Sequence, residues 1–221
     1  MGLDMYLERS KKVNGLSINE IGILRDYIDW KESGNECSFM AWCGRHEAEV
    51  KTDYIDKIKN ENIDFQEVGY WRKANQIHNW FVQNVQNGID DCGRYEVSKE
   101  DLIKLRNLCE KVLNAAIFED DYVIAYTTYE DIEVVKEREK GHDVQIVEYE
   151  NGWVQVKAPG KVIVNENEIA ELLPTSSGFF FGSYEYDEYY FNDLRETIDV
   201  INNVLDETDF ETYTITYCSS W

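Results

Sequence analysis

The stretch that most constrains the fold is "DVQIVEYENGWVQVKA", residues 143–158, in which an Asn151-Gly152 pair separates two runs of alternating apolar and polar residues. Asn-Gly readily adopts the positive φ that a tight hairpin turn needs, so the two runs are expected to pair antiparallel. Around them "YVIAYTTY" (122–129), "IEVVKE" (132–137) and "KVIV" (161–164) continue in β-branched and aromatic residues. Residues 119–165 therefore read as a β-rich insertion built as a small antiparallel sheet.

Outside this segment, strand and helix periods alternate. In "LDMYLER" (3–9), Leu3, Met5 and Leu7 fall on one side and Asp4, Tyr6 and Glu8 on the other, the pattern of a half-buried strand. Ser17 with Glu20 makes a capping box for a helix that carries Ile21, Leu24 and Ile28 on one face and ends near Ser33-Gly34. Residues 35–50 have no clean period and read as loop. A second helix is expected over 68–87, with Tyr70, Ala74, Ile77, Phe81 and Val85 as its core stripe and Gly88 as its left-handed stop. A third starts at Ser98, with Asp101 at its third position and Leu102, Leu105, Cys109, Val112 and Ala116 inward. After the β-rich segment come a short helical turn ended by Pro174, a strand "GFFFGS" (178–183), and a helix with Phe191, Leu194, Ile198, Ile201 and Leu205 on one face. An alternating strand, "FETYTITYCSSW" (210–221), closes the chain. The expected fold is α+β: one domain over 1–221, with three to four helices on a mainly antiparallel sheet that carries the hairpin insertion. At 221 residues the chain suffices for one core and is short for two.

Charge excludes several function classes. The net charge is −22, and it is lopsided: residues 1–110 carry 15 Lys and Arg against 20 Asp and Glu, whereas residues 111–221 carry 7 against 24. Such a surface repels phosphate backbones, so direct nucleic-acid binding is not expected. No stretch is apolar enough for a membrane span and the N-terminus is too polar for a signal peptide, which predicts a cytoplasmic protein. The five cysteines, Cys37, Cys43, Cys92, Cys109 and Cys218, include no C-x-x-C pair and read as free thiols. Neither a metal site nor a cofactor is assigned.

Two stretches carry candidate binding chemistry. On the expected helix 68–87, Trp71, Asn75 and His78 share one edge, a flat ring, an amide and a titratable nitrogen, and Arg72 and Lys73 stand beside them to meet phosphate. Asp90 and Asp91 follow the helix end, where the helix dipole disfavours anions and a ligand or cation would offset the cost. In "LLPTSSGFFFGSYEYDEYY" (172–190), Thr175, Phe180, Tyr186 and Asp187 would form an opposite wall. Each residue also has an ordinary use: core rings, a satisfied histidine, turn aspartates. No nucleophile–base motif and no phosphate loop occurs, and no catalytic residue is assigned.

With these stretches in view, the chain resembles a family of largely uncharacterised proteins encoded by phages and prophages. The likeness lies in "MGLDMYL" (1–7), "YWRKANQIHNWFVQNVQNGIDDC" (70–92) and the LLPT-x-x-GFFFG stretch, about a quarter of the chain. It implies no reaction or cofactor, only a phage setting, the host cytosol, in which small acidic proteins serve as accessory or counter-defence factors. The favoured expectation is a protein that sequesters a nucleotide-derived small molecule, such as a host immune signal, in an aromatic and polar pocket. Two alternatives stay open: an acidic interaction protein that blocks a basic host effector, and a metal-assisted phosphoester hydrolase using His78 or Asp90 and Asp91. A homo-oligomer is left open.

Overall fold

The computed structural model describes residues 2–33, 51–178 and 181–221. Four strands form the main sheet in the order β2–β1–β7–β3: β1 (Asp4–Lys11), β2 (Gln66–Arg72), β3 (Tyr95–Val97) and β7 (Tyr213–Ser220). Every pairing is antiparallel, and the central strand β7 runs the full length of β1 from Asp4↔Ser220 to Lys11↔Tyr213. Strand alternation puts Leu3, Met5, Leu7, Ile215 and Tyr217 on one covered face, all essentially inaccessible to solvent. Against that face pack α3 (Asn75–Asn84), α4 (Lys99–Ala115) and α7 (Glu188–Glu207), with α6 (Glu166–Leu172) contributing Ile169. Phe81 of α3 stacks on Tyr217 with ring centroids 4.0 Å apart and planes within 9°. A separate apolar cluster joins Val13 to Ile21, Leu24 and Ile28 of α1 (Ile18–Ser33) and to Ile58 of α2 (Ile55–Asn60).

Residues 118–163 form the second sheet, β4 (Phe118–Thr128), β5 (Gln145–Glu148) and β6 (Val154–Ile163), in the order β4–β6–β5. The expected hairpin is there: Gly152 sits at φ +81°, and Tyr149 N donates to Trp153 O at 2.8 Å. Pro159 lies inside β6, beyond the last residue paired with β5, so its missing N–H breaks no ladder on that side. One face of this sheet is covered by α5 (Ile132–Arg138), whose Val135 packs against Val154 and Val156.

The α+β class is as the sequence predicts, and both capping signals form. Glu20 reaches back to Ser17 N at 2.7 Å, and Ser98 Oγ accepts from Asp101 N at 3.0 Å. Because α4 carries four fully buried side chains, Ser98→Ala is expected to cost about 1 kcal/mol, read as a lower denaturation midpoint with an unchanged m-value.

Several expectations are corrected. Residues 68–87 are not one helix: 66–72 form β2, Lys73 turns the chain at φ +63°, and α3 begins at Asn75. Val68, Tyr70 and Trp71 suit a strand, and β1 supplies a partner edge, Met5↔Trp71 and Leu7↔Gly69. Tyr70, placed in the core stripe by a helical wheel, is 42% exposed and donates to Asp4 Oδ1, whereas Trp71 faces inward. "IEVVKE" is helix α5 rather than strand, because Asp131 caps it by accepting from Glu133 N at 2.8 Å. "GFFFGS" contains no strand among its described residues, because the Asn75 side chain meets the Phe181 and Ser183 carbonyls in place of a neighbouring strand. The loop expected over 35–50 lies outside the described residues, as do Cys37 and Cys43.

Candidate functional site

Where β2 ends, Arg72 and Lys73 emerge onto the surface and the chain turns into α3, which starts without a side-chain cap at Ala74. Asn75, only 1% exposed, clamps the segment that follows α6. Its Nδ2 donates to Ser183 O at 2.8 Å and Phe181 O at 3.3 Å, and its Oδ1 accepts from Ser176 N at 2.8 Å. Backbone groups that a strand neighbour would satisfy are thus satisfied by one amide, so the segment needs no sheet. Gly182 seals the contact: it sits at φ +101°, and a Cβ there would stand 2.9 Å from Lys73 O. Tyr186 Oη accepts from Thr175 N at 3.2 Å, and Thr175 Oγ1 donates to Tyr184 O at 3.2 Å. Asp187 then caps α7, accepting from Tyr189 N at 3.0 Å and Tyr190 N at 3.1 Å.

These elements enclose a cleft of about 640 Å³. Arg72, Lys73, Asn75 and Gln76 line one side; Gly182, Ser183 and Glu185 come from the clamped segment; Asp187, Tyr189, Tyr190 and Asp193 come from α7 and its cap. Both signs of charge are present. Arg72 is 62% exposed and only loosely paired, its Nε 3.9 Å from Asp4 Oδ1, and Lys73 makes no ion pair among the described residues. Across from them, Asp193 Oδ2 accepts from Gln76 Nε2 at 2.9 Å. Burial pushes the Asp193 carboxyl up to about 6, and Glu196 and Asp187 push the same way against the Gln76 hydrogen bond. The Tyr189 ring stands 78% exposed at the rim, whereas Tyr190 is buried and donates to Leu173 O at 2.8 Å.

The residues singled out from sequence divide into three groups. Arg72, Lys73, Asn75 and Asp187 line this cleft, and Thr175 and Tyr186 brace the segment behind it. Trp71, His78, Asp90 and Asp91 do not line it. Trp71 is 1% exposed inside the core, its ring tilted on Phe81 at 6.2 Å. His78 is also buried, with Nδ1 2.7 Å from Tyr217 Oη and Nε2 3.0 Å from Asp90 Oδ2, and Asp90 Oδ1 accepts from Trp221 Nε1 at 3.2 Å. Asp91 is a turn residue that accepts from Gly93 N and Tyr95 Oη. The shared helix edge of Trp71, Asn75 and His78 does not exist, because Trp71 belongs to a strand. Phe180 lies outside the described residues.

Tyr189 and Tyr190, which the sequence suggests for an aromatic slot, do line the cleft, whereas sequence reasoning missed Gln76, Ser183, Glu185 and Asp193. For Asp193 a signal existed: it falls three residues after Tyr190 and four before Thr197, both buried, which sets a carboxylate at the edge of the apolar stripe of α7. Among the described residues, no three His, Cys, Asp or Glu side chains are grouped to hold a metal ion. Cys92, Cys109 and Cys218 are free thiols, and burial pushes Cys109 and Cys218 up to about 12, leaving them protonated at neutral pH. No helix among the described residues is long and apolar enough to cross a membrane. Comparison with protein-family models, with curated proteins and with solved structures finds no match to this chain.

Proposed function

We propose that the cleft between α3 and α7 binds and sequesters a nucleotide-derived small molecule. The observation that carries this reading is the pairing, in one concavity, of two weakly engaged cations with an exposed ring and buried hydrogen-bonding groups, in a chain whose net charge is −22. Arg72 and Lys73, with the positive dipole end of α3 beside them, suit a phosphate. Tyr189 offers a face for a base, and the carboxylates of the cleft accept from hydroxyls or ring N–H groups. A volume of about 640 Å³ is of the size that holds a mononucleotide. The role is retention: the reading assigns no bond-breaking step. In the phage setting that the sequence resemblance implies, holding such a molecule would withdraw a host signal.

Thermal-shift and calorimetric titration with mononucleotides and cyclic nucleotides test the proposal. Wild-type protein should bind at least one of them, and the double variant Arg72→Ala, Lys73→Ala should weaken that binding at least about tenfold, the loss of charge-assisted contacts. Both side chains project from the surface, so the variant should melt within about a degree of wild type. Equal affinity in wild type and the double variant would move the anion site elsewhere.

A second reading rests on the open face of the small sheet. Ile124, Val147, Tyr149 and Trp153 share that face by register and are 37–58% exposed, with Glu148, Glu150 and Asp143 nearby in sequence. An exposed apolar patch with an acidic surround fits a basic protein partner. A complex captured through this face should weaken steeply with salt and be lost in Trp153→Ser; a salt-indifferent complex would count against it.

A further inference from the structure

Asp193 is the group in the cleft with the most unusual surroundings. Asp193 lines the cleft, and among the described residues a single side chain, Gln76, donates to its carboxylate, to Oδ2 alone, so Oδ1 has no side-chain donor there. Gln76 is 2% exposed and holds the carboxylate in place. The titratable and charged groups around it are Tyr189, Tyr190 and Glu196 on α7, Asp187 at its cap, Glu185 on the clamped segment, and Arg72 and Lys73 at the end of β2. None of the described cations forms an ion pair with it. An ionised carboxylate accepts and cannot donate, so a molecule seated on Asp193 must bring donors.

We propose that the ligand of this cleft presents two adjacent N–H donors to Asp193, as the Watson–Crick edge of guanine does, with its phosphate directed toward Arg72 and Lys73. The inference rests on the nucleotide-binding reading above and narrows it to a base class. Guanine places its ring N1–H beside its exocyclic amino group, two donors spaced to meet the two oxygens of one carboxylate. Adenine and cytosine place their amino group beside an acceptor nitrogen, and hypoxanthine keeps the ring N–H but lacks the amino group. Each of those would leave a carboxylate oxygen unmet or set it against a lone pair, and a buried polar group left unpaired is the strongest source of discrimination between similar ligands.

Calorimetric titration with GMP, IMP and AMP at pH 7.5, on wild type and on Asp193→Asn, tests this. Wild type should bind GMP at least about tenfold tighter than IMP or AMP. Asp193→Asn should lose most of that preference while melting no lower than wild type, which separates a lost contact from a lost fold. The GMP preference should also fade as pH is lowered through about 6, where the carboxylate gains its proton. Wild type binding GMP, IMP and AMP equally, or Asp193→Asn keeping the wild-type preference, would overturn the base assignment and leave the cleft as a nucleotide site. Binding of none of the three would overturn the base assignment, and only failure of the wider mononucleotide and cyclic-nucleotide panel as well would overturn the nucleotide reading.

Discussion

Trp71→Ala is expected to destabilise the fold by about 3–5 kcal/mol, the loss seen for large aromatic side chains in cores. The ring is 1% exposed, sits in β2 opposite Met5, and packs against Phe81, which itself stacks on Tyr217 of the central strand. Deleting it opens a cavity where the sheet and α3 meet. The indole N–H has no hydrogen-bond partner among the described residues, an offset that places the expected value toward the lower end of that range. For a chain of this length the melting temperature should fall by roughly 6–20 °C, measured by far-UV circular dichroism because the substitution itself alters tryptophan fluorescence. A variant that melts like wild type yet binds no nucleotide would instead make Trp71 a wall of the site. The sequence pattern points to that second outcome and the burial of Trp71 to the first, so this substitution separates core from site.

The second large effect has the opposite sign. Asp193 titrates at about 6 in the folded protein, above the ordinary aspartate value near 3.9. Between those two values the folded state holds the proton more tightly than the unfolded chain. Stability from this group is therefore greatest at low pH and declines as pH rises through about 4 to 6, after which the ionised carboxylate weighs against the fold. The full difference corresponds to at most about 3 kcal/mol, and partial solvent contact brings it to about 1–2 kcal/mol. Asp193→Asn should raise the melting temperature by several degrees at pH 7.5 and leave it unchanged near pH 4, the amide oxygen still accepting from Gln76. A variant less stable than wild type at pH 7.5 would mean that the carboxylate is compensated by a cation. A residue that lines a cleft and lowers stability at working pH is a candidate for use rather than for packing.

Three local signals in the sequence point to the observed elements because their determining contacts are themselves local, whereas the equally local Asp131 cap of α5 is masked by the β-branched run that follows it. Ser17 with Glu20, Ser98 with Asp101 and the Asn151-Gly152 turn each depend on atoms within a few residues. The alternation of Leu3, Met5 and Leu7 and the stripe through Phe191, Leu194 and Ile201 likewise predict which faces are buried, because side-chain direction follows from backbone period alone. Together with composition and charge, these determined the α+β class and the acidic surface.

Two decisions lay beyond that reach. Whether 68–73 continues a helix or pairs as a strand depends on the edge of β1, more than sixty residues earlier in the chain, since the same aromatic and β-branched residues satisfy either period until a partner for their backbone exists. The cleft depends on Asn75 gripping backbone groups of Ser176, Phe181 and Ser183, and on Gln76 meeting Asp193 across 117 residues. Hydrogen bonds and desolvation act over a few ångströms in space. Sequence fixes which groups are available to them, and only the tertiary arrangement decides which groups come within that range and which carboxylate loses its water.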